Sequence, residues 1–310
     1  MEAPMTILRV RHVTNYIYRQ PVRFGEHRLM FRPRDSHDQR LLSADLAVSP
    51  SPLDIHWIHD AFNNCVTIAN FDTPASELKF ETYIVLDHTP SVGPHFRTEA
   101  RAKLWPFEYD EDNRIDLAPY MRQHHPGPEV EAWARKFVPH SVETETGSLL
   151  FTMTNAIRES FVYSRRTDPG TQLPAVTLAR GKGTCRDFAL LMMEACRSLG
   201  FAARFVTGYI YVASRDTQKL RGGGATHAWV QVFLPGAGWV EFDPTNGIVG
   251  NRDLIRIGVA REPRQARPLY GSFIGDREDY LGMTVQVNVV TEKPGKDSLA
   301  ANPDPVVVPH

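Results

Sequence analysis

The sequence predicts an α+β fold in which a small all-β, sandwich-like domain precedes a mixed core. Three observations support this prediction. Short β-rich runs recur over the first 95 residues, helical spacing of apolar residues begins near residue 129, and a period of two returns after Gly200. Because strands and helices are segregated along the chain and do not alternate, an α+β architecture is favoured over a parallel α/β sheet.

The β domain is predicted over residues 1–95, where strand-like runs are separated by Pro, Gly, Asn, Asp and Ser. Their spacing is typical of a small sandwich or barrel. The runs are TILRVRHV, NYIYR, HRLMFRP, ADLAVSP, LDIHWIHD, CVTIANF and LKFETYIVLDH. Residues 96–128 are rich in proline, charge and histidine, and they are predicted to form a linker.

The core is predicted over residues 129–260. Helices are expected over 129–138, over 148–163 and from Cys185 to Gly200, because apolar residues recur there at i, i+3, i+4 and i+7. Three strands follow, in AARFVTGYIYV, THAWVQVFL and GWVEFD. The polar, glycine-rich loop Ser214–Ala225 lies between the first two strands, and we expect it to be a specificity loop or lid.

The end of the chain is predicted to add little regular structure. Residues 261–294 are expected to form a C-terminal extension with one strand, MTVQVNVVTE, because its apolar and polar residues alternate. Residues 295–310 are expected to be a disordered tail.

Composition argues against several classes of partner. The 310 residues include 35 Lys+Arg and 36 Asp+Glu, a net charge of −1, which gives no support to nucleic-acid binding. No window approaches the roughly 18 apolar residues of a membrane span, and no signal-peptide pattern is visible. Three cysteines, an odd number, do not make a disulfide framework. We therefore expect a cytoplasmic protein with free thiols that binds neither nucleic acid nor membrane.

Cys185 is the cysteine whose position favours chemistry. It lies in the first turn of a predicted helix, where free backbone N–H groups and the helix dipole favour a thiolate and a developing oxyanion. Thr184 and Asp187 have the spacing of a capping box. Gly183 leaves room for a substrate carbonyl group. These local features fit equally well a tight loop-to-helix junction that carries no chemistry.

A nucleophilic thiolate needs a base and a group that orients the base. His227 and Asp243, on adjoining predicted strands, are candidates, although each alone is more typical of a structural or turn residue. They share a sheet face if residues 234–236 form a three-residue loop, which would place His227 opposite Asp243. A four-residue loop over 235–238 would put them on opposite faces.

The same residues lie in segments that resemble a known family. GKGTCRDFALLMMEACRSLGFAARFVTGYI and THAWVQVFLPGAGWVEFDPTNG are similar to the transglutaminase-like superfamily, in its bacterial cysteine-peptidase branch. LRVRHVTNYIYRQPV, HRLMFRPRD and WIHDAFNNCVTIANF resemble the N-terminal β domain of that branch. IGVAREPRQARPLYGSFIGDREDYLGMTVQVNVV resembles its C-terminal extension. The resemblance therefore extends to about residue 292.

This resemblance implies a papain-like, transglutaminase-like core. Cys185 would be the nucleophile, His227 the general acid and base, and Asp243 the carboxylate that orients the histidine. One departure concerns the turn Asn63-Asn64, where relatives commonly have Gly-Asn, and we expect it to affect the β domain only.

The superfamily includes amide hydrolases, peptide:glycan amidases and acyltransferases that crosslink glutamine to amines. The favoured expectation is a cysteine hydrolase of peptide or amide bonds, whose partner is a peptide or amide substrate. Acyl transfer to an amine and a non-catalytic binding scaffold are the alternatives. Thr184, Gly183, Tyr163 and Trp229 are substrate or oxyanion candidates. Tyr163 would replace the upstream tryptophan of animal transglutaminases.

We expect neither a cofactor nor a metal. Asp110, Asp112 and Asp116 cluster in sequence, but they lack the glycine and the terminal glutamate of a calcium loop. His56 and His59 point to opposite faces of a predicted strand, and no CxxC pair is present to complete a zinc site.

Overall fold

The first ninety residues fold into long antiparallel strands, as their alternating pattern predicts. The computed structural model describes residues 6–89, 97–139, 143–164, 170–211 and 224–291, together with the backbone of 306–308. The first five strands are β1 (Thr6–Leu29), β2 (Gln39–Ser49), β3 (Asp54–His59), β4 (Cys65–Asn70) and β5 (Ala75–His88).

Strand β1 joins the runs TILRVRHV and NYIYR with the beginning of HRLMFRP, which the sequence predicts as separate strands. Pro21 falls where the pairing between β1 and β5 shifts register, between Ile17 and Val22. A proline is tolerated at such an irregularity, because no ladder N–H is required there. The strand therefore bends at this point and does not end.

Helices and short strands make up the first part of the core. The helices are α1 (Glu111–Met121), α2 (Pro128–Arg135), α3 (Thr146–Ser160), α4 (Pro174–Arg180) and α5 (Cys185–Ser198). Two pairs of two-residue strands connect them, β6 (Leu104–Trp105) with β7 (Thr144–Glu145) and β8 (Val162–Tyr163) with β9 (Lys182–Gly183). Across the described ranges, no helix is long and apolar enough to cross a membrane.

Helices α2, α3 and α5 lie on segments that the sequence predicts to be helical. Helix α1 lies inside the predicted linker, and α4 has no predicted counterpart. Helix α1 buries Leu117 and lacks the apolar stripe from which a sequence pattern predicts a helix. Asp110 caps its first turn, accepting from the backbone N–H of Asn113 at 2.8 Å, and forms an ion pair with Arg101 at 2.7 Å. These contacts give Asp110 a structural role.

A five-stranded antiparallel sheet completes the core. Its order is β13-β12-β11-β10-β14. The strands are β10 (Ala203–Ile210), β11 (His227–Leu234), β12 (Gly238–Asp243), β13 (Ile248–Val249) and β14 (Leu254–Ala260). Strands β10 to β12 are those that the sequence predicts.

Helix α5 lies at the centre of the core and is buried all round. The sequence predicts one apolar face, but twelve of its fourteen residues are buried, because the sheet covers one side and α2, α3 and α4 contact the helix elsewhere. The buried charged side chains of α5 form ion pairs within the core. Arg197 donates to Glu194 at 2.6 Å and to Glu262 at 3.2 Å. Loss of Arg197 would leave both buried carboxylates without this guanidinium.

The C-terminal extension joins the N-terminal sheet. The remaining strands are β15 (Leu269–Ile274), β16 (Tyr280–Thr291) and β17 (Val306–Val308). The sequence predicts β16 but not β15, whose centre is Gly271-Ser272. The first half of β1 lies between β5 and β16, and its second half pairs with β4 and β15. Sequence-distant pairs such as Leu8 with Thr291 therefore build this sheet.

Three residues of the predicted tail have regular structure. The backbone of Val306–Val308 pairs with Met283–Val285 in β16, whereas the other residues of 295–310 lie outside the described ranges. Most of the predicted lid Ser214–Ala225 also lies outside them, and residues 224 and 225 are the part that lies inside.

The β domain packs against the core through a shared apolar cluster and through polar contacts. Arg256 in β14 forms ion pairs with Asp38 at 3.1 Å and with Glu241 of β12 at 2.7 Å. The Gln39 side chain bonds to both backbone polar groups of Arg256, at 2.8 and 2.9 Å. These directional contacts hold the β domain on the core sheet, next to the strands that carry His227 and Asp243.

Candidate active site

Cys185 is the first residue of α5, and a capping box fixes its position. The Thr184 hydroxyl accepts from the Asp187 N–H at 3.4 Å, and the Asp187 carboxylate accepts from the Thr184 N–H at 2.8 Å. The predicted capping box is therefore present. Because both partners flank Cys185, the backbone that carries the sulfur is held from both sides.

Asp187 also holds the loop that precedes the cysteine. It is completely buried and accepts from the backbone N–H of Gln172 at 2.6 Å. The Gln172 side chain in turn donates to the carbonyl group of Lys182 at 3.1 Å. Hydrogen bonds thus join the start of α5 to Gln172, which lies 15 residues before Asp187 in the chain.

Gly183 is required here by packing. A Cβ atom at this position would lie 2.9 Å from Cβ of Asp187 and 3.3 Å from the Phe188 ring. The glycine therefore allows close approach to α5, which is a different reason from the substrate access that the sequence suggested. Tyr163 is brought beside it, because β8 and β9 pair Tyr163 with Gly183.

Removal of the Asp187 carboxylate is expected to destabilise the protein more than removal of its capping partner. Asp187→Ala would leave the buried N–H group of Gln172 and the half-buried N–H group of Thr184 without this acceptor, a loss of about 2 to 4 kcal/mol. Thr184→Ala removes one cap bond, a loss of about 1 kcal/mol. Urea unfolding of both variants measures the difference, and equal losses would contradict this account of the loop.

His227 and Asp243 meet on one face of the core sheet. Strand pairing puts Leu234 opposite Gly238, so the loop between β11 and β12 is residues 235–237. The loop has three residues, as the catalytic interpretation requires, but it begins one residue later than expected. Asp243 consequently lies diagonal to His227 and not directly opposite it. Residues two positions apart on a strand point to the same face of the sheet, so His227 and Asp243 still share a face, as predicted.

The contact between them is a direct hydrogen bond. Nε2 of His227 lies 2.8 Å from Oδ2 of Asp243. Asp243 is also held by its own turn, since Oδ1 accepts from the Thr245 N–H at 2.9 Å and Oδ2 from the Asn246 side-chain amide at 2.8 Å. Three donors therefore converge on one carboxylate, which fixes both its rotamer and its ionised state.

Burial and charge act in opposite directions on the histidine. His227 and Asp243 are 1% and 0% exposed. Burial disfavours the imidazolium ion, but the charge and the hydrogen bond of Asp243, with a smaller contribution from the Cys185 side chain, raise the pKa of His227 to about 10. Burial likewise opposes the carboxylate of Asp243, but His227 outweighs it and lowers the pKa of Asp243. The pair is therefore ionic at neutral pH.

The second ring nitrogen faces a different environment. Within the described part of the chain, Nδ1 of His227 is buried without a hydrogen-bond partner. The Cys185 side chain, 7% exposed, is close enough to raise the pKa of the ring. One nitrogen is thus bound to the carboxylate and the other is open to the thiol.

The raised pKa of His227 predicts a pH-dependent stability. Because the folded-state pKa lies above the unfolded value of about 6.5, the stabilisation is fully present below pH 6.5 and is lost as the pH rises toward 10. The urea midpoint of the wild type should fall more steeply than that of Asp243→Asn between pH 7 and pH 10. Parallel curves for the two proteins would contradict the ion pair.

Trp229 packs on the histidine, two residues along β11. The two rings are stacked at 28°, with centroids 6.0 Å apart, and the indole is completely buried. Its Nε1 has no hydrogen-bond partner within the described ranges. Trp239 lies elsewhere, below the Arg204 guanidinium and against Phe233. The two tryptophans therefore belong to different apolar clusters.

Comparison with known families matches two successive regions. Residues 8–87 match the bacterial transglutaminase-like N-terminal region, and residues 132–244 match the transglutaminase-like superfamily. The core of this chain belongs to the transglutaminase-like superfamily. The second region includes Cys185, His227 and Asp243.

Similar proteins extend over nearly the whole length of this transglutaminase-like chain. The uncharacterized protein Rv2569c of Mycobacterium tuberculosis is 28% identical over 298 residues, covering 91% of this chain and 92% of its own. The uncharacterized protein ML0607 of Mycobacterium leprae is 26% identical, with coverages of 90% and 98%. A "putative cysteine protease" from Cytophaga hutchinsonii has the same fold, with a TM-score of 0.72, 17% identity and coverages of 97% and 96%.

The transglutaminase-like core brings together most of the residues that the sequence singles out. Thr184 and Gly183 adjoin the cysteine, Tyr163 adjoins Gly183, and Trp229 stacks on His227.

Sequence reasoning missed the two residues after Pro244, Thr245 and Asn246, although both donate to Asp243. Their signal was the DPTNG turn, since an aspartate side chain commonly accepts from the N–H two residues further on.

The candidate metal ligands weighed from the sequence are Asp110, Asp112 and Asp116 and the pair His56 and His59. Among the residues that the structure describes, no three His, Cys, Asp or Glu side chains are grouped as metal ligands.

Proposed function

We propose that this transglutaminase-like protein hydrolyses amide or peptide bonds through a triad of Cys185, His227 and Asp243. The observation that carries the proposal is that the two nitrogen atoms of the His227 ring have different environments. Nε2 is bound to Asp243 at 2.8 Å, and Nδ1 has no other partner in the described chain. A base oriented by a carboxylate, with its second nitrogen free for a thiol, is the arrangement that nucleophilic catalysis needs.

The first half of the reaction forms a thioester. His227 is protonated at neutral pH, so it stabilises the thiolate of Cys185, which attacks the carbonyl carbon. The backbone N–H groups of Cys185 and Arg186 lie in the first turn of α5, where the helix supplies no acceptor, and they stabilise the oxyanion. Collapse of this intermediate breaks the C–N bond, and the amine leaves with the proton of Nδ1.

The second half releases the acid. Neutral His227 removes a proton from water, and the water oxygen attacks the thioester carbonyl carbon. The C–S bond then breaks, the electron pair returns to sulfur, and the carboxylic acid leaves. This step restores the thiolate of Cys185 and the imidazolium ion of His227.

Backbone donors support the oxyanion better than the Thr184 hydroxyl does, because that hydroxyl donates to Asp187 at 2.9 Å. Tyr163 remains a candidate from its position beside Gly183. If it contributes, Tyr163→Phe should lower kcat while leaving KM unchanged.

An activity-based probe series tests the proposal. Peptide, glutamine-amide and small-amide electrophiles are incubated with the wild type and with Cys185→Ala, and the modified residue is identified by mass spectrometry. Labelling of Cys185 by the peptide electrophile is expected. A folded wild type that reacts with none of the electrophiles, and whose Cys185 resists iodoacetamide at neutral pH, would favour a non-catalytic scaffold.

Acyl transfer is a second candidate, favoured by the low exposure of Cys185, because exclusion of water lets an amine compete for the thioester. The discriminating measurement adds a primary amine to the hydrolysis assay. A conjugate in place of the free acid would assign transfer, and release of the acid at an unchanged rate would assign hydrolysis.

We also propose a cytoplasmic location. Cys65, Cys185 and Cys196 are all free thiols, which is usual in a reducing compartment. Fractionation of cells that express the full chain tests this, and recovery outside the cytoplasm would refute it.

A further inference from the structure

The turn between β3 and β4, residues 60–64, connects the β domain to the core sheet. Asn64 is buried and donates through Nδ2 to the Val259 carbonyl group at 2.7 Å. Its Oδ1 accepts from the Val259 N–H at 2.8 Å. The side-chain amide therefore bonds to β14 as a neighbouring strand would. The departure from Gly-Asn is at Asn63, since its neighbour Asn64 matches the relatives, and the backbone of Asn63 bonds to Asp60 and Arg34 within the β domain.

This turn is held in one conformation by its own contacts. The Asp60 carboxylate accepts from the N–H groups of Phe62 and Asn64, at 2.9 and 2.8 Å, and from the Asn64 side chain at 2.9 Å. Asn63 has a φ of 61°, which asparagine tolerates. Arg34 donates to the Asn63 carbonyl group at 3.0 Å. Phe62 is thus presented to the core by a rigid loop.

Phe62 packs against the apolar cluster that contains Trp229. The buried members of this cluster are Val206, Ile210, Trp229, Leu254 and Val259. A Cβ atom on Gly208 would lie 2.7 Å from Cη2 of Trp229, so the indole is also in close contact with its own sheet. Gly208 therefore restricts the ring that stacks on His227, and Phe62 covers the cluster to which that ring belongs.

We infer that Phe62 is a positioning residue for His227, acting through Trp229. The hydrogen bond to Asp243 fixes Nε2, but the ring can still tilt about that bond. The stacked indole limits this tilt, and Phe62 packs on the apolar cluster that holds the indole. The inference rests on the proposed function, and it gives the N-terminal β domain a part in catalysis: one of its loops helps to aim Nδ1 at Cys185.

The test is Phe62→Ala in the full chain. The kcat should fall by about 10- to 100-fold, because a small displacement of a catalytic group is costly. KM should stay within about twofold, because Phe62 touches no substrate in this account. The basic limb of the pH profile of kcat should also move to lower pH. Phe62→Leu keeps an apolar side chain and should recover most of the lost kcat.

Ile58→Ala is the matched control. Ile58 lies on the same hairpin, is 39% exposed and is not part of the Trp229 cluster. Its kcat and pH profile should match those of the wild type. An unchanged kcat and pH profile in folded Phe62→Ala would overturn the inference, as would an equal loss in Ile58→Ala. If alanine unfolds the domain, Phe62→Val, which keeps less of the side chain than leucine, replaces it, and a wild-type kcat and pH profile in folded Phe62→Val would overturn the inference.

A measurement without substrate separates this inference from the proposed function. In protein labelled with ¹⁵N-histidine, the ring nitrogens of His227 are followed by NMR as the pH is raised. Phe62→Ala should change their shifts and titration, and Ile58→Ala should not. If the wild type hydrolyses no amide but these shifts change, the proposed function fails and the positioning role stands. Unchanged shifts reject the positioning role, whatever the activity.

Discussion

Cys185→Ala is expected to abolish amide hydrolysis while leaving the fold intact. Loss of the nucleophile removes the thioester route, so kcat should fall by at least about 10⁴-fold. The fold should survive, because the capping box of Thr184 and Asp187 uses no atom of the Cys185 side chain. Hydrolysis of the peptide that best labels the wild type, together with the urea midpoint, measures both effects.

Cys196→Ala is the control for this variant. Cys196 lies on the same helix and is completely buried, and its burial raises the pKa of its thiol strongly, so that it stays protonated and unreactive. We expect this variant to keep its kcat and to lose about 1 kcal/mol of stability through the missing sulfur atom. Turnover retained by Cys185→Ala would exclude Cys185 as the nucleophile, and turnover lost by Cys196→Ala would show that altered packing of α5 is enough to abolish activity.

Asp243→Asn is expected to have the second largest effect, a fall in kcat of about 10³- to 10⁴-fold. Three donors converge on Asp243, from His227, Thr245 and Asn246. An amide NH₂ group in this place would face one of these donors, so the turn would rearrange or the His227 ring would change its tautomer. The pKa of His227 would also fall, since the charge of Asp243 is the largest influence that raises it.

Glu241→Gln is the matched control for the aspartate. Glu241 lies two residues earlier on β12, is also buried, and bonds to Gln231 and Arg256 instead of the triad. Its replacement should lower stability by weakening the ion pair with Arg256, while kcat stays near the wild-type value. Asn246→Ala, which removes one donor to Asp243, should lower kcat by about tenfold. If Asp243→Asn lowers kcat no more than Glu241→Gln does, Asp243 is not the carboxylate that orients His227.

The start of α5 shows how far sequence can predict a site. Thr184 and Asp187 are three residues apart, so their mutual hydrogen bonds are a local property that spacing reveals. The contact of His227 with Asp243 was also predicted, because side-chain alternation on two strands joined by a short loop decides which residues share a face. The loop itself was misplaced by one residue, since Pro235-Gly236-Ala237 and Leu234-Pro235-Gly236 are compatible with the same face.

The sequence by itself determined the α+β class, the capped helix that carries Cys185 and the sheet face shared by His227 and Asp243. These features depend on residue periodicity and on hydrogen bonds between near neighbours. Only the tertiary structure decided that α5 is buried all round, that the C-terminal strands pair with β1, and that Asn64 binds Val259 across 195 residues of chain. Contacts between distant segments depend on how whole elements pack, and no local pattern specifies which partner a strand edge or a helix face will meet.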